Sequence, residues 1–340
     1  MSKKIIFTVL AGLLGLIIGF GFMAWRYVNA PFESSEAKWI YLPDGTSREA
    51  LADSLTAALG VRTANRVHHI YCAVASDSAI IRGAYLIQPG STAKDIARTL
   101  VRRQQTPVRL TFNNIRTIDQ LAQKVDEQLC ITADDFIAAC RKVLPQAGFT
   151  SEAQYPAAFF PDTYEFYWDA SAEKVVTRLL NVRNAFWTDE RRAQAKALGL
   201  TPVSVATIAS ITEEETNNRA ERKTVARLYL NRVQRNMLLQ ADPTVKFAVG
   251  DFSLRRVLNK HLAIDSPYNT YKYAGLPPGP IRIPEKATLL AVLEAPKHSY
   301  LYMCARPDNS GCHNFATSLS QHQANARKYQ NWLNSRKIYK

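Results

Sequence analysis

Positions Ile5 to Trp25 are 21 residues without a charge, with Lys3 and Lys4 before them and Arg26 after. Wound as a helix, this run rises about 31 Å, enough to cross a bilayer core. No small-x-small cleavage site adjoins it at Phe22-Met23-Ala24-Trp25-Arg26, so a retained anchor is favoured over a cleaved signal peptide. With Lys3 and Lys4 holding the N-terminus in the cytoplasm, the expectation is a single-pass protein of the cytoplasmic (inner) membrane, its bulk on the extracytoplasmic side.

Beyond the run the apolar pattern becomes periodic. "YLPDGTSREALADSL" (41 to 55) aligns with "LIQPGSTAKDIARTL" (86 to 100), Gly45 meeting Gly90, Leu51 meeting Ile96 and Leu55 meeting Leu100; "IRTIDQLAQKV" (115 to 125), after the strand-like "PVRLTF", is a fainter third copy. Each copy reads as a short strand, a turn with a Ser or Thr N-cap, and an amphipathic helix. Such modules serve either as polymer binders or as spacers. Residues 130 to 148 read as helical through Phe136, Ala139 and Val143. "YPAAFFPDTYEFYW" (155 to 168) has too many turn formers for a helix, and its aromatics favour packing over sugar stacking. A helix is expected from Ala172 to about Phe186, then another opening with Thr201 as N-cap and Pro202 at its first position and running through the glutamates. A third covers 218 to 236, with Val225, Leu228, Leu230 and Val233 inward and its arginines outward.

Composition changes the picture modestly. The formal charge is +14, and +11 without residues 1 to 30, which contribute Lys3, Lys4 and Arg26 and no acid. Facing away from the cytoplasm, such a domain has no nucleic acid to meet, and envelope polymer or lipid headgroups fit its charge better. Five cysteines, Cys72, Cys130, Cys140, Cys304 and Cys312, leave at least one unpaired, and Cys304 and Cys312 bracket a turn that would suit a cross-hairpin disulfide. Cys312-His313 fits no usual zinc spacing.

The candidate chemistry lies in "ASITEEET" (209 to 216). On a helix, with Val203 at zero, Glu213 falls at about 280°, Glu214 at about 20° and Glu215 at about 120°. Glu214 lands in the polar arc and reads as solvated. Glu213, between Ala206 and Ala209, and Glu215, beside Ile208 and Ile211, lie on the two edges of the apolar arc. Desolvation there raises a carboxyl toward the range of a general acid, and Glu213 has the roomier setting. Gln240 ends an apolar stretch, and Tyr268, Asn269, Thr270 and Tyr271 precede a Gly/Pro loop. An acid, an amide and a Tyr-Asn turn are what a lysozyme-like sugar cleft requires.

These segments, with "FFPDTY" (159 to 164), "ERKTVARLYLNR" (221 to 232), "LLQADPTV" (238 to 245), "YNTYKYAGLPPGPI" (268 to 281) and "HNFATSLSQH" (313 to 322), resemble the endolytic murein transglycosylase family, the YceG-like membrane-anchored proteins. The resemblance implies an α+β chain: residues 1 to 30 a cytoplasmic N-terminus and transmembrane anchor, 31 to 128 a LysM-like α/β region, 129 to 340 a mixed α/β catalytic domain with the sugar cleft. It places the catalytic acid at Glu213 and substrate contacts at Glu215, Gln240, Tyr268, Asn269, Thr270 and Tyr271, and it matches His313 and His322 to family positions without a role. Thr212 and Glu214 depart from the family pattern, which has an apolar residue and a lysine there. The implied reaction is non-hydrolytic cleavage within peptidoglycan strands at MurNAc-β-1,4-GlcNAc bonds, leaving 1,6-anhydroMurNAc ends. It needs neither metal nor organic cofactor. Peptidoglycan synthases (penicillin-binding proteins) are the implied protein partners. A hydrolysing muramidase and a non-catalytic peptidoglycan-binding scaffold are the competing readings, separated by product mass and by loss of the acid.

Overall fold

The computed structural model describes residues 3–76, 81–254 and 256–336; positions 1, 2 and 337 to 340, which the expected boundaries include, lie outside them. The contact pattern divides the chain into two compact units, the first comprising Met1–Leu110, Asp126–Ile131 and Tyr164–Ser171 and the second Thr111–Val125, Thr132–Thr163 and Ala172–Lys340.

The first unit begins with α1 (Lys3–Val28), whose Phe7–Val28 portion is long and apolar enough to cross a membrane and buries nothing within the molecule. Then follow β1 (Lys38–Thr46), α2 (Arg48–Leu59), α3 (Val61–Val74), β2 (Ile81–Ile87), α4 (Ala93–Val101) and β3 (Val108–Phe112). β1 and β2 pair antiparallel, Ile40 facing Tyr85, with a break in register after Leu42. The repeat is visible in structure: Ser47 caps α2 through the N–H of Ala50, Thr92 caps α4 through that of Asp95, and Leu51, Leu55, Ile96 and Leu100 meet in one core. Helix α3, which the repeat did not anticipate, adds Ala64, Val67 and Tyr71 at helical spacing to that core.

The second unit is mostly helical. It contains α5 (Ile118–Asp126), α6 (Ala133–Val143), a 3-10 segment (Glu152–Ala158), α7 (Ala172–Phe186), α8 (Asp189–Ala197), α9 (Pro202–Glu215), α10 (Arg222–Gln234), α11 (Asp242–Val249), α12 (Asn259–Leu262), α13 (Lys286–Leu293), β5 (Tyr302–Ala305), β6 (His313–Ala316) and α14 (Leu319–Ser335), while β3 and β4 (Asp162–Phe166), which pair with each other, each have residues assigned to both units. Ile208, Ala209 and Ile211 of α9 share one core with Val225, Leu228 and Leu230 of α10 and Leu289 and Val292 of α13. Phe159 and Phe160 are buried, Phe160 edge-on to Phe186 at 5.2 Å between ring centroids, so this part of the aromatic stretch packs in the interior.

Two expectations are corrected. Cys304 and Cys312 are free thiols: in the β5–β6 hairpin Cys304 faces Asn314 while the Cys312 carbonyl accepts from the Arg306 N–H, which sets the two cysteines diagonally rather than opposite each other. The arginines of α10 do not all face outward. Arg222 and Arg232 are 9% and 7% exposed, because each finds several acceptors inside the unit, and a buried guanidinium is tolerated only when so paired.

Candidate active site

Helix α9 places the glutamates. Thr201 accepts from the Ser204 N–H, Pro202 occupies the first turn, and the buried run from Val205 fixes which way each later residue points. Glu213 and Glu215 differ by about 200° around the axis, so they leave opposite sides of the helix.

Glu213 is 4% exposed and clamped by its own unit. Its Oε1 accepts from the Glu285 N–H at 2.7 Å, and its Oε2 lies 3.2 Å from Arg282 Nε as an ion pair. Arg222 Nη1 is 4.0 Å away and is itself hydrogen-bonded to Glu285 Oε2 and Thr288 Oγ1, both at 2.7 Å. Burial raises the Glu213 carboxyl above its ordinary range, against the pull of Thr288, the two arginines and the Glu285 amide. Glu214 is not solvated, as the projection had it: Arg116 and Arg282 each reach it at 3.0 Å, leaving its side chain 18% exposed. An isolated helix could not reveal partners that come from 98 and 68 residues away in sequence.

Glu215 borders a cavity of about 410 Å3, lined also by Tyr229, Arg232, Gln240, Asp242, Tyr271, Tyr302, His313 and His322. Its Oε1 accepts from the Tyr229 hydroxyl at 2.7 Å. Burial, the largest cause, and the Asp242 charge push its pKa up to about 7, while Tyr229, Lys246 and Arg232 pull the other way. A carboxyl poised there is protonated for a useful fraction of the time at neutral pH and can still return as a base.

Arg232 builds the floor. Its Nε donates to the Leu301 carbonyl at 2.6 Å, and its Nη1 donates to those of Leu238 and Leu239 at 3.0 and 2.9 Å and to Gln240 Oε1 at 3.3 Å. Gln240 has φ 48°, a left-handed conformation rare outside glycine, and its N–H donates to the Thr270 carbonyl. The strained position turns the amide side chain to the cavity rim. Tyr271 donates its hydroxyl to Asp242 Oδ1 at 2.6 Å, and burial, with that bond, raises its pKa.

The structure therefore brings Glu215, Gln240 and Tyr271 together around this one cavity, whose lining does not include Glu213, Tyr268, Asn269 or Thr270. Asn269 is buried, donating to the carbonyls of Leu262 and Ile264 and accepting from the Tyr271 N–H, so it shapes the turn that presents Tyr271. Thr270 accepts from the Ala241 N–H and pairs with Thr244. Tyr268 packs on Phe247 at 4.6 Å, and burial pushes its pKa up to about 12. His313 is held by Glu221 through its N–H and Nδ1. His322 stacks on Tyr302 at 5.4 Å, and its buried Nδ1 has no hydrogen-bond partner among the described residues.

Tyr229, Arg232 and Tyr302 were not singled out from the sequence. Arg232 left a signal: it follows Val225 and Leu228 at i+7 and i+4 on the inward face of α10, where a guanidinium has to find partners.

Comparison with known proteins points one way. The model of a family described as YceG-like matches residues 40–328. An endolytic murein transglycosylase of Bacillus subtilis (strain 168) is 30% identical over 333 residues, covering 92% of this chain and 91% of that protein. Another, from Streptococcus pneumoniae serotype 2 (strain D39 / NCTC 7466), is 24% identical over 354 residues, 94% of this chain and 64% of that one. The crystal structure of a YceG-like protein from Listeria monocytogenes shares the fold, with a TM-score of 0.54 at 24% identity over 86% of this chain and 99% of its own.

Proposed function

The chain belongs to the YceG-like family, and from that premise we infer that it is an endolytic murein transglycosylase whose acid and base is Glu215. The observation that carries the residue assignment is the placement of Glu215 on the cavity wall with a pKa of about 7, while Glu213 is tied to Arg282 and the Glu285 amide. Glu213 becomes a positioning residue that ties the end of α9 to the loop before α13.

In this reading protonated Glu215 donates to the leaving O4 as the C1–O4 bond breaks, and the substrate's acetamido oxygen supports the developing positive charge at C1. The Glu215 carboxylate then takes the proton of the MurNAc C6 hydroxyl while O6 bonds to C1, closing the 1,6-anhydro ring and returning Glu215 to its starting form. One carboxyl serves both steps because the substrate supplies the nucleophile. The Tyr229 hydroxyl steadies the carboxylate form between them. Gln240 and Tyr271 suit contacts to acetamido and hydroxyl groups along a lysozyme-like cleft.

Helix α1 would anchor the protein in the cytoplasmic membrane with its bulk outside, beside the synthases that polymerise nascent strands, and the β1-α2-α3-β2 arrangement is compatible with a LysM-like module. The test is digestion of purified peptidoglycan by the full chain in detergent, wild type beside Glu215→Gln and Glu213→Gln, with mass analysis. Anhydro ends lost in Glu215→Gln are the expected result. Reducing ends, heavier by one water (about 18 Da), would instead make it a hydrolase, and undiminished cleavage by Glu215→Gln would overturn the residue assignment.

A further inference from the structure

Helix α1 does not end in a free linker. Residues 29 to 32 are pinned to the first unit: the Ala30 carbonyl accepts from the Ala93 N–H at 3.1 Å, the Phe32 N–H donates to the Ser91 carbonyl at 2.8 Å, and the Phe32 side chain joins that unit's core. Tyr27, in the last turn of α1, reaches α3. Its hydroxyl is hydrogen-bonded to His69 Nδ1 at 2.8 Å, and the Arg66 guanidinium carbon lies 5.7 Å from its ring centroid. The end of α1 and the α2–α3 junction border one cavity of about 820 Å3 within the first unit.

The cavity wall divides by chemistry. Met23 and Trp25 of α1 and Val61 at the start of α3, all largely exposed, supply an apolar side. Arg26, Arg62 and Arg66 supply a cationic one, and among the described residues that line it Glu33 is the one acid. Arg62 and Arg66, four positions apart, share a face of α3. None of the three arginines is paired with a carboxylate among the described residues. Helix α3 opens at Gly60 without a side-chain cap, so the electropositive first turn from Val61 to Thr63 lies in the same lining.

We propose that this cavity binds the headgroup of an anionic phospholipid, its phosphate against Arg26, Arg62 and Arg66 and the start of its acyl chains along Met23 and Trp25. An amphiphile whose negative end adjoins an apolar tail matches both kinds of wall, and guanidinium groups hold phosphate oxygens through paired hydrogen bonds. A soluble anion would leave the apolar side uncovered. The position agrees with the chemistry: Trp25, Arg26 and Tyr27 end the apolar run, where a bilayer has its headgroups and where aromatic rings beside basic side chains are favoured. The proposal rests on the reading of α1 as a membrane span. A lipid held here touches both the span and α3, which sets the first unit at a fixed height on the membrane surface.

The test is native mass spectrometry of the full chain in neutral detergent micelles, doped in turn with phosphatidylglycerol and phosphatidylcholine. Wild type should retain phosphatidylglycerol about tenfold more strongly than phosphatidylcholine, and Arg62→Gln with Arg66→Gln should abolish most of that preference. Lys94→Gln with Arg102→Gln removes the same charge from exposed positions outside the lining and should leave the preference unchanged. Should the first double variant unfold, Arg62→Gln alone keeps the contact of Arg66 with Tyr27 and is expected to lower the preference about threefold. Inorganic phosphate at the same concentration should not displace the lipid. Displacement by phosphate would make this a soluble-anion site and overturn the proposal, as would a wild type without preference or an equal loss in both double variants. If the full chain without detergent stays in the supernatant when membranes are sedimented, the reading of α1 as a span fails, and the micelle comparison still decides separately whether the cavity binds the lipid.

Discussion

At the residue scale, two glutamates of one helix have different surroundings, and if they have the tasks proposed for them their variants should separate. Glu215→Gln is expected to lower cleavage by roughly 10²- to 10⁴-fold, the usual contribution of a general acid. Glu213→Gln, if Glu213 only positions the end of α9, should change turnover far less than Glu215→Gln in the same digestion. The pH dependence has a defined sign. Glu215 must be protonated to donate, so turnover falls as pH rises through about 7. Its folded pKa is above the ordinary 4.5, so ionising it opposes folding: stability is full below about 4.5 and declines as pH rises toward and through 7. Melting curves of Glu215→Gln and wild type should therefore agree near pH 4 and diverge at pH 8, with the glutamine variant the more stable. Equal midpoints at pH 8 would mean that Glu215 is not raised. Such a gain on removing an active-site acid is an expected stability–activity trade-off.

At the element scale, the site depends on short irregular segments that helices and arginines hold in place. Arg232 fixes the 237 to 240 segment through three main-chain and side-chain acceptors, and Asn269 folds the turn before Tyr271. The Gly/Pro loop that follows has a steric requirement at Gly279, where a Cβ would collide with the Ala153 carbonyl, a backbone group that cannot swing aside. Gly279→Ala should destabilise by about 2 kcal/mol or more, as overpacking does, measurable by chemical denaturation. The helices were largely legible in the sequence. Ala172–Phe186 and Pro202–Glu215 follow from their apolar spacing and, for the latter, its Thr-Pro start. Helix α3 was missed because it interrupts a repeat whose two copies, taken alone, already look complete.

At the scale of the whole molecule, the first of two compact units begins with α1, a helix able to span a membrane. If it anchors the protein, the full chain should sediment with membranes and resist a high-salt wash, whereas a chain beginning at residue 31 should stay soluble and still cut peptidoglycan in solution. Release of the full chain by salt alone would show a peripheral attachment held by charge.

The sequence by itself determined the apolar N-terminal helix, the helical frame of α9 and α10, and the family to which the chain belongs, and it singled out the segment from which the acid is proposed. Those properties are written in local periodicity, capping residues and motif order, all of which act within a few turns of chain. Which glutamate faces the cavity was decided only by tertiary structure. The choice depends on Arg282, Glu285 and Thr288 closing over one edge of α9 and Tyr229, Gln240 and Tyr271 leaving a space at the other. Helical projection ranks edges by their nearest neighbours on the helix, and the desolvation and charge pairing that set a carboxyl's role come from residues remote in sequence.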